Sequence, residues 1–523
     1  MKNRKTKIIS VVAVVALALT VITATYAYFQ AQVGDPAVAD IKVNANTVDT
    51  FTFSNGNAIS FSINQDNFAS GKGNQTGSTY ASATLTANNK TNTATEHYYL
   101  YLNIESNTFT YSINESTPEI IMTVTDSSGT EVTDISTLNH VIVTGANNTQ
   151  VSGYDITNKK GLITLFNNRE ITTTSSKEER WNIKVTFVNY DASQNANAGK
   201  SMSAKVMIQK EKIVLPLHES CNDNTLACHV AKLYTDTQGD NNIYYHDSSL
   251  INGAGDNSYR YSGANPNNYV CFGSNESTCP TDNLYRIIGV FGNNVKLIKY
   301  DYANSNLLGT DADYSTDTYP KSSTYKGSLT TIDSYYWNRS TGTNTWSESL
   351  LNKTNLNQNF VNNIGTEWAN KIDETTWKVG GNTYANIRDV VPATAYQNEI
   401  VNPVTTDSAD NAKEYSAKIG LMYVSDYMYA APQDKWTLVG NNSDASKDYR
   451  AAISVNWMYM GYFDWTISRV AHYSPGAFVV YSDGGMGDDD VFSYRAVRPS
   501  FNLESSITYV SGDGSASDPI VIN

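Results

Sequence analysis

Trp181, Ile183, Val185 and Phe187 are separated one by one by Asn182, Lys184 and Thr186. A period of two buries a single face only when the chain runs as a strand. Met202, Ala204, Val206 and Ile208 repeat the pattern, as do Tyr98, Leu100, Leu102 and Ile104. Between such runs lie turn-forming segments, Asp126-Ser127-Ser128-Gly129 and Gly145-Ala146-Asn147-Asn148 among them. Short alternating strands with turns between them predict an all-β sandwich over 30–213, whose plain role is a stalk and whose sharper role is polymerisation into a fibre.

The chain has 523 residues, more than one core usually organises, so two or three domains are expected. Lys and Arg number 37 against 51 Asp and Glu, a net charge of -14, which leaves no basic surplus for a nucleic-acid partner. Hydrophobic residues make up 40% of the chain and aromatics 11%, too many for wholesale disorder. Its 36 tyrosines suit either β-structure or a recognition surface.

At the N-terminus Lys2, Arg4, Lys5 and Lys7 precede an apolar run from Ile8 to Ala27. Residues 1–27 therefore read as a signal peptide, or as an N-terminal membrane anchor if the segment is retained. The chain is expected outside the cell or at its surface, touching membrane only through that segment. Four cysteines in an exported chain predict two disulfides. Cys221 and Cys228 are seven apart and Cys271 and Cys279 eight apart; local bridges would each contribute roughly 2–3 kcal/mol. Spacing also permits pairing across the two sets, and His218, Cys221, Cys228 and His229 spell a possible zinc set that an oxidising compartment disfavours.

From 214 to 255 Leu226, Val230 and Leu233 stand at helical spacing, which predicts a helical linker. Beyond it, Leu284–Phe291 and Val295–Tyr300 flank a Gly292-Asn293-Asn294 turn and predict a hairpin. Leu356, Phe360, Ile364, Trp368 and Ile372 recur every four residues and predict one helix laid on a sheet. Residues 256–523 are thus a mixed α+β domain.

In the last segment, Trp465, Phe478, Val480, Val491 and Val497 are the apolar anchors. The residues between them mix charge, ring and glycine without a strand or helix period, as an exposed surface would. Their candidate ligand-binding members are His472, Tyr473, Tyr481, Asp488, Asp489, Asp490, Phe492, Tyr494 and Arg495: rings for contact area, charges for directed polar contacts. Asp483 with Asp488–Asp490, and Asp311, Asp313 and Asp317, lack calcium-loop spacing and are expected to be solvated acidic loops, so no metal or other cofactor is implied.

Several stretches carry resemblances. Asn257-Ser258-Tyr259-Arg260-Tyr261-Ser262-Gly263 running on to Cys271, Tyr285-Arg286-Ile287-Ile288-Gly289-Val290-Phe291, Lys418–Tyr423, Asn456-Trp457 and Trp465–Pro499 resemble exported proteins of gut Firmicutes that end in a C-type-lectin-like domain. Trp465–Pro499 is further similar to the variable region of diversity-generating retroelement targets, where adenine-directed mutagenesis rewrites Asn codons. Tyr, Asp, His, Ser, Gly, Arg, Phe, Val and Pro are reachable that way; Met486 is not, and it sits at an apolar anchor position. The Thr25-Tyr26-Ala27-Tyr28-Phe29 ending and the tract Trp181–Gln209 loosely resemble secreted biofilm-matrix fibre subunits. The resemblance implies a cell-surface adhesin or receptor-like protein that binds a surface protein or glycan, with a matrix or fibre subunit as the alternative.

An enzyme is the poorer expectation. No His-Glu-x-x-His frame, Gly-x-Ser-x-Gly elbow or phosphate-cradling Gly-Lys-Ser/Thr loop occurs. Formylglycine-generating enzymes share the lectin-like scaffold but use late cysteines, and none follows Cys279 here. A glycoside hydrolase, which needs only two placed carboxylates, is the remaining catalytic alternative.

Overall fold

The computed structural model describes residues 49–64, 66, 72–88, 92–320, 322–382, 390–404 and 413–523. The signal or anchor predicted over 1–27 lies outside them. No helix among the described residues is long and apolar enough to cross a membrane. The fold is predominantly β, with 38% strand against 15% helix, and it divides into two compact units at Val214/Leu215.

The first unit's described strands are β1 (Thr50–Asn55), β2 (Ile59–Ser62), β3 (Gln75–Thr86), β4 (Ala94–Asn107), β5 (Ile120–Thr125), β6 (His140–Thr144), β7 (Gln150–Asp155), β8 (Gly161–Thr173), β9 (Ser176–Phe187) and β10 (Ser201–Gln209). They form a six-stranded sheet, β1-β3-β9-β5-β7-β6, and a four-stranded one, β2-β10-β4-β8. The alternating runs are what make this a sandwich. Trp181, Ile183, Val185 and Phe187 from β9 share one apolar core with Leu100, Leu102 and Ile104 from β4 and Met202, Ala204 and Val206 from β10. Trp181 donates to the Tyr98 hydroxyl at 2.8 Å, which donates to Glu179 at 2.7 Å, so the buried indole N–H is satisfied.

The second unit takes in the segment read as a linker. Helices Leu217–Ser220 and Leu226–Ala231 precede β11 (Ile243–Tyr245), and Leu226, Val230, Ile243 and Tyr245 belong to the unit's main core. The segment therefore packs as part of this unit. Cys221 bonds Cys228 and Cys271 bonds Cys279, so the pairing is local and both His-flanked thiols are consumed. Two disulfides fit an oxidising, extracellular setting.

The remaining strands are β12 (Tyr259–Tyr261), β13 (Tyr269–Cys271), β14 (Leu284–Phe291), β15 (Asn294–Lys299), β16 (Tyr314–Pro320), β17 (Thr331–Tyr336), β18 (Thr375–Lys378), β19 (Gly381–Asn382), β20 (Glu414–Ala417), β21 (Ile419–Gly420), β22 (Asp464–Val470), β23 (Gly476–Val480), β24 (Met486–Asp490), β25 (Tyr494–Arg495), β26 (Ser500–Asn502), β27 (Tyr509–Ser511) and β28 (Val521–Ile522). The predicted hairpin is β14–β15, at the centre of the order β11-β12-β14-β15-β26-β21. The helix expected from the four-residue repeat is broken. Leu351–Phe360 is a π-helix, Val361–Asn363 and Thr366–Ala369 are single turns, and Gly365 adopts φ 83° between them. Leu356, Phe360, Trp368 and Ile372 are still buried, because the repeat encodes a buried stripe whichever helix type carries it.

Two smaller sheets hold the C-terminal segment: β19-β22-β23-β24, with β24 at the edge, and β16-β17-β25. Gly381 fits where β19 pairs parallel with β22 only because it lacks a side chain. A Cβ there would lie 1.5 Å from the Arg469 carbonyl oxygen.

Candidate functional site

The five expected anchors are all interior: Trp465, Phe478, Val491 and Val497 are fully buried and Val480 is 2% exposed. Trp465 Nε1 donates to the Tyr335 carbonyl at 2.9 Å, which joins β22 to β17. Antiparallel register then sets β24 against β23, with Phe478 opposite Asp488 and Ala477 opposite Asp489.

This corrects the expectation for the acidic run. Asp488–Asp490 lie on a strand, half-buried, and the interval that shows no period in sequence is two strands joined by tight turns. A strand of Gly and Asp is unusual by propensity; pairing with the buried β23 imposes it. Asp311, Asp313 and Asp317 are not one solvated loop either. Asp313 is buried and accepts the Leu351 N–H at 2.8 Å and the Arg339 N–H at 3.1 Å.

The candidate residues fall into two neighbouring groups. His472 and Tyr473 occupy the turn between β22 and β23, and Phe492 the turn after β24. Antiparallel strands bring these two turns to the same end. Asn344, buried and remote in sequence, clamps the first. Its side-chain amide donates to the carbonyls of Val470 at 2.8 Å, Tyr473 at 3.1 Å and Gly476 at 2.8 Å, and its N–H to Ser474 at 2.5 Å. Val491 N–H donates to the Pro475 carbonyl at 2.7 Å and ties the second turn to the first. On this base His472 is exposed, Tyr473 is 38% exposed and Phe492 51%. The Tyr473 hydroxyl donates to Asp490 at 2.9 Å.

The second group runs along β24 and β25. Asp489 pairs with Arg495 and accepts the Ser493 hydroxyl at 3.0 Å. The Arg495 guanidinium lies 4.7 Å over the Phe463 ring, and Tyr481 meets that ring edge-on at 5.6 Å. The Tyr494 ring packs against Tyr319 at 5.5 Å and Tyr336 at 6.0 Å, and the Tyr319 hydroxyl donates to the Tyr494 carbonyl at 3.1 Å.

Tyr481 is not wholly displayed. Its hydroxyl donates to the Asp488 carbonyl at 2.9 Å, and burial with Asp488 beside it pushes the phenol up to about 12. Burial, with Asp489 and Asp490 adjacent, likewise raises the Asp488 carboxyl. The Tyr481 ring lies over Gly487, where a Cβ would fall 2.3 Å from it. Gly487→Ala is expected to push the ring off β24 and cost roughly 1–2 kcal/mol, read as a lowered urea midpoint.

All nine candidates thus lie on one run of turns and edge strands; none is in the core. Sequence reasoning missed Asn344, Tyr319, Tyr336 and Phe463, which come from elsewhere in the chain and carry no motif. Their only signal is the surplus of Tyr and Asn. Among the described residues no group of three His, Cys, Asp or Glu side chains is placed to hold a metal ion.

The first unit carries a separate open groove of about 670 Å³ between the loop after β5 and the bulged middle of β8. Arg169, stacked on Trp181 at 4.6 Å and paired with Glu179 at 2.8 Å, lines one side; Glu131 and Asp134 line the other. Glu131 is occupied by His140 at 2.9 Å and Ser152 at 3.0 Å. No protein-family model matches the chain, and no curated protein matches it.

Proposed function

We propose that the protein is an exported cell-surface binding protein, adhesin or receptor-like, rather than an enzyme. In this reading the first unit is a stalk and the second a C-type-lectin-like domain. The turn-and-edge surface bearing His472, Tyr473, Tyr481, Asp488–Asp490, Phe492, Tyr494 and Arg495 takes a surface protein or a glycan. The supporting observation is the clamp: exposed rings stand on turns held by a buried asparagine and by cross-turn backbone bonds. Ordering those turns costs nothing further on binding, and rigid rings give contact area at low entropic cost.

The test is a binding screen of the full exported chain on a glycan array and a panel of bacterial surface proteins. Saturable binding to one class, lost in Tyr473→Ala/Phe492→Ala with the fold retained, is expected. Undiminished binding in that variant would place the contact elsewhere, and released sugar would favour the hydrolase. The retroelement resemblance has its own check in neighbouring DNA. A reverse transcriptase beside a near-copy of the Trp465–Pro499 coding region, differing only at adenines, would support it.

A further inference from the structure

The centre of the second unit buries an unusual density of charge. Arg260 on β12, Lys296 on β15, Glu399, and Asp426 in the short helix Val424–Tyr429 are each at most 4% exposed. Lys296 Nζ lies 2.5 Å from Asp426 Oδ2. Arg260 donates to Asp256 at 2.6 Å, and its Nη1 faces Asp426 Oδ1 at 3.5 Å. Two cations meet two carboxylates, which leaves Glu399 as the odd carboxyl. Its Oε2 accepts from the Ser425 hydroxyl at 2.8 Å and N–H at 3.2 Å, one residue from Asp426, while its Oε1 has no hydrogen bond.

The walls are aromatic. Lys296 Nζ stands 4.5 Å from the Tyr423 ring centre, 5.3 Å from Trp377 and 5.7 Å from Phe291. Desolvation makes a buried ion pair costly, and burial pulls the Lys296 ammonium below its ordinary range, toward the neutral amine. In that state an amine nitrogen sits in contact with a carboxyl group, with a second carboxyl beside them. That contact holds against each other the two groups an amide would join, the proximity on which amide formation depends.

We propose that Lys296 and Asp426 become joined by an intramolecular isopeptide bond in the folded chain. A proton passes from Lys296 Nζ to Asp426 Oδ2 across their contact, and the freed amine attacks Asp426 Cγ. The N–C bond forms and Oδ1 becomes an oxyanion facing Arg260, with the Tyr423 N–H, 3.0 Å from Oδ2, fixing the group. Glu399 gives its proton to the Oδ2 hydroxyl, the C–O bond breaks and water leaves. Glu399 then recovers a proton from the new amide nitrogen. No oxidant or co-reactant is consumed, and two buried charges are replaced by one neutral amide that ties the central sheet to the helix.

The test is the mass of the reduced full chain beside that of Lys296→Arg made in the same way. The wild type is expected to be lighter by one water, about 18 Da, beyond the mass of the substitution itself. Proteolysis should yield a branched peptide linking Lys296 to Asp426. Recovery of both residues in separate linear wild-type peptides overturns the proposal, whether or not the variant folds. A water loss that persists in Lys296→Arg overturns it as well. Glu399→Gln should accumulate unlinked chain; complete linkage in it would remove Glu399 as the proton carrier.

Discussion

Phe478→Ala is expected to lower the stability of the second unit by about 3–5 kcal/mol, whereas Tyr473→Ala/Phe492→Ala together should change it by less than about 1 kcal/mol. Phe478 is fully buried in the unit's main core. Truncation there loses the transfer free energy of the ring and leaves a cavity that a sheet clamped on both sides cannot close. Tyr473 and Phe492 lose little packing, because much of each ring already faces water. Tyr481 does not belong with them, since it is half-buried on Phe463 and bonded to the Asp488 carbonyl. Urea unfolding followed by tryptophan fluorescence is the measurement: seven of the eight tryptophans lie in the second unit, so its transition dominates the signal. Similar losses from both variants would mean that the exposed rings are part of the frame, and the separation of stability from recognition would fail.

The second large effect is a dependence on pH. Burial pushes the Glu399 carboxyl from its ordinary 4.5 up to about 7. A folded-state pKa raised above the unfolded one means the folded chain holds a proton that the unfolded chain releases first. Below about pH 4.5 both states are protonated and nothing is lost. Between about 4.5 and 7 stability falls as pH rises, and above about 7 the loss levels off near 3 kcal/mol. Glu399→Gln keeps an oxygen for Ser425 and cannot ionise, so its stability relative to wild type should rise by about that amount between pH 5 and pH 8. The quantity read is the change in that difference, to which any pH-independent offset contributes nothing. A flat difference would show that Glu399 is ionised in the folded chain throughout.

Legibility differed between the units for a physical reason. In the first, β9 and β10 turn every second residue to the core, so Trp181–Phe187 and Met202–Ile208 announce themselves by alternation. In the second, β22 is buried along its whole length and β24 is built of Met, Gly and Asp. Neither has a period to read, and three consecutive Asp residues predict a loop where the pairing with β23 makes a strand. The broken helix over 351–369 shows the converse: its buried stripe was plain, but π-turns and Gly365 depend on what the helix must pack around.

By itself the amino-acid sequence determined the β-rich first unit, the acidic balance, the presence of four cysteines, the hairpin β14–β15 and the five anchors that end up buried. These follow from local periodicity and composition, which act wherever the chain goes. Only the tertiary structure decided the rest: the local disulfides, Asn344 beneath the 471–475 turn, the pairing of Asp489 with Arg495, and the meeting of Lys296 with Asp426 across 130 positions. Each joins groups whose partners are chosen by how sheets and turns close in space, and spacing along the chain carries no trace of that choice.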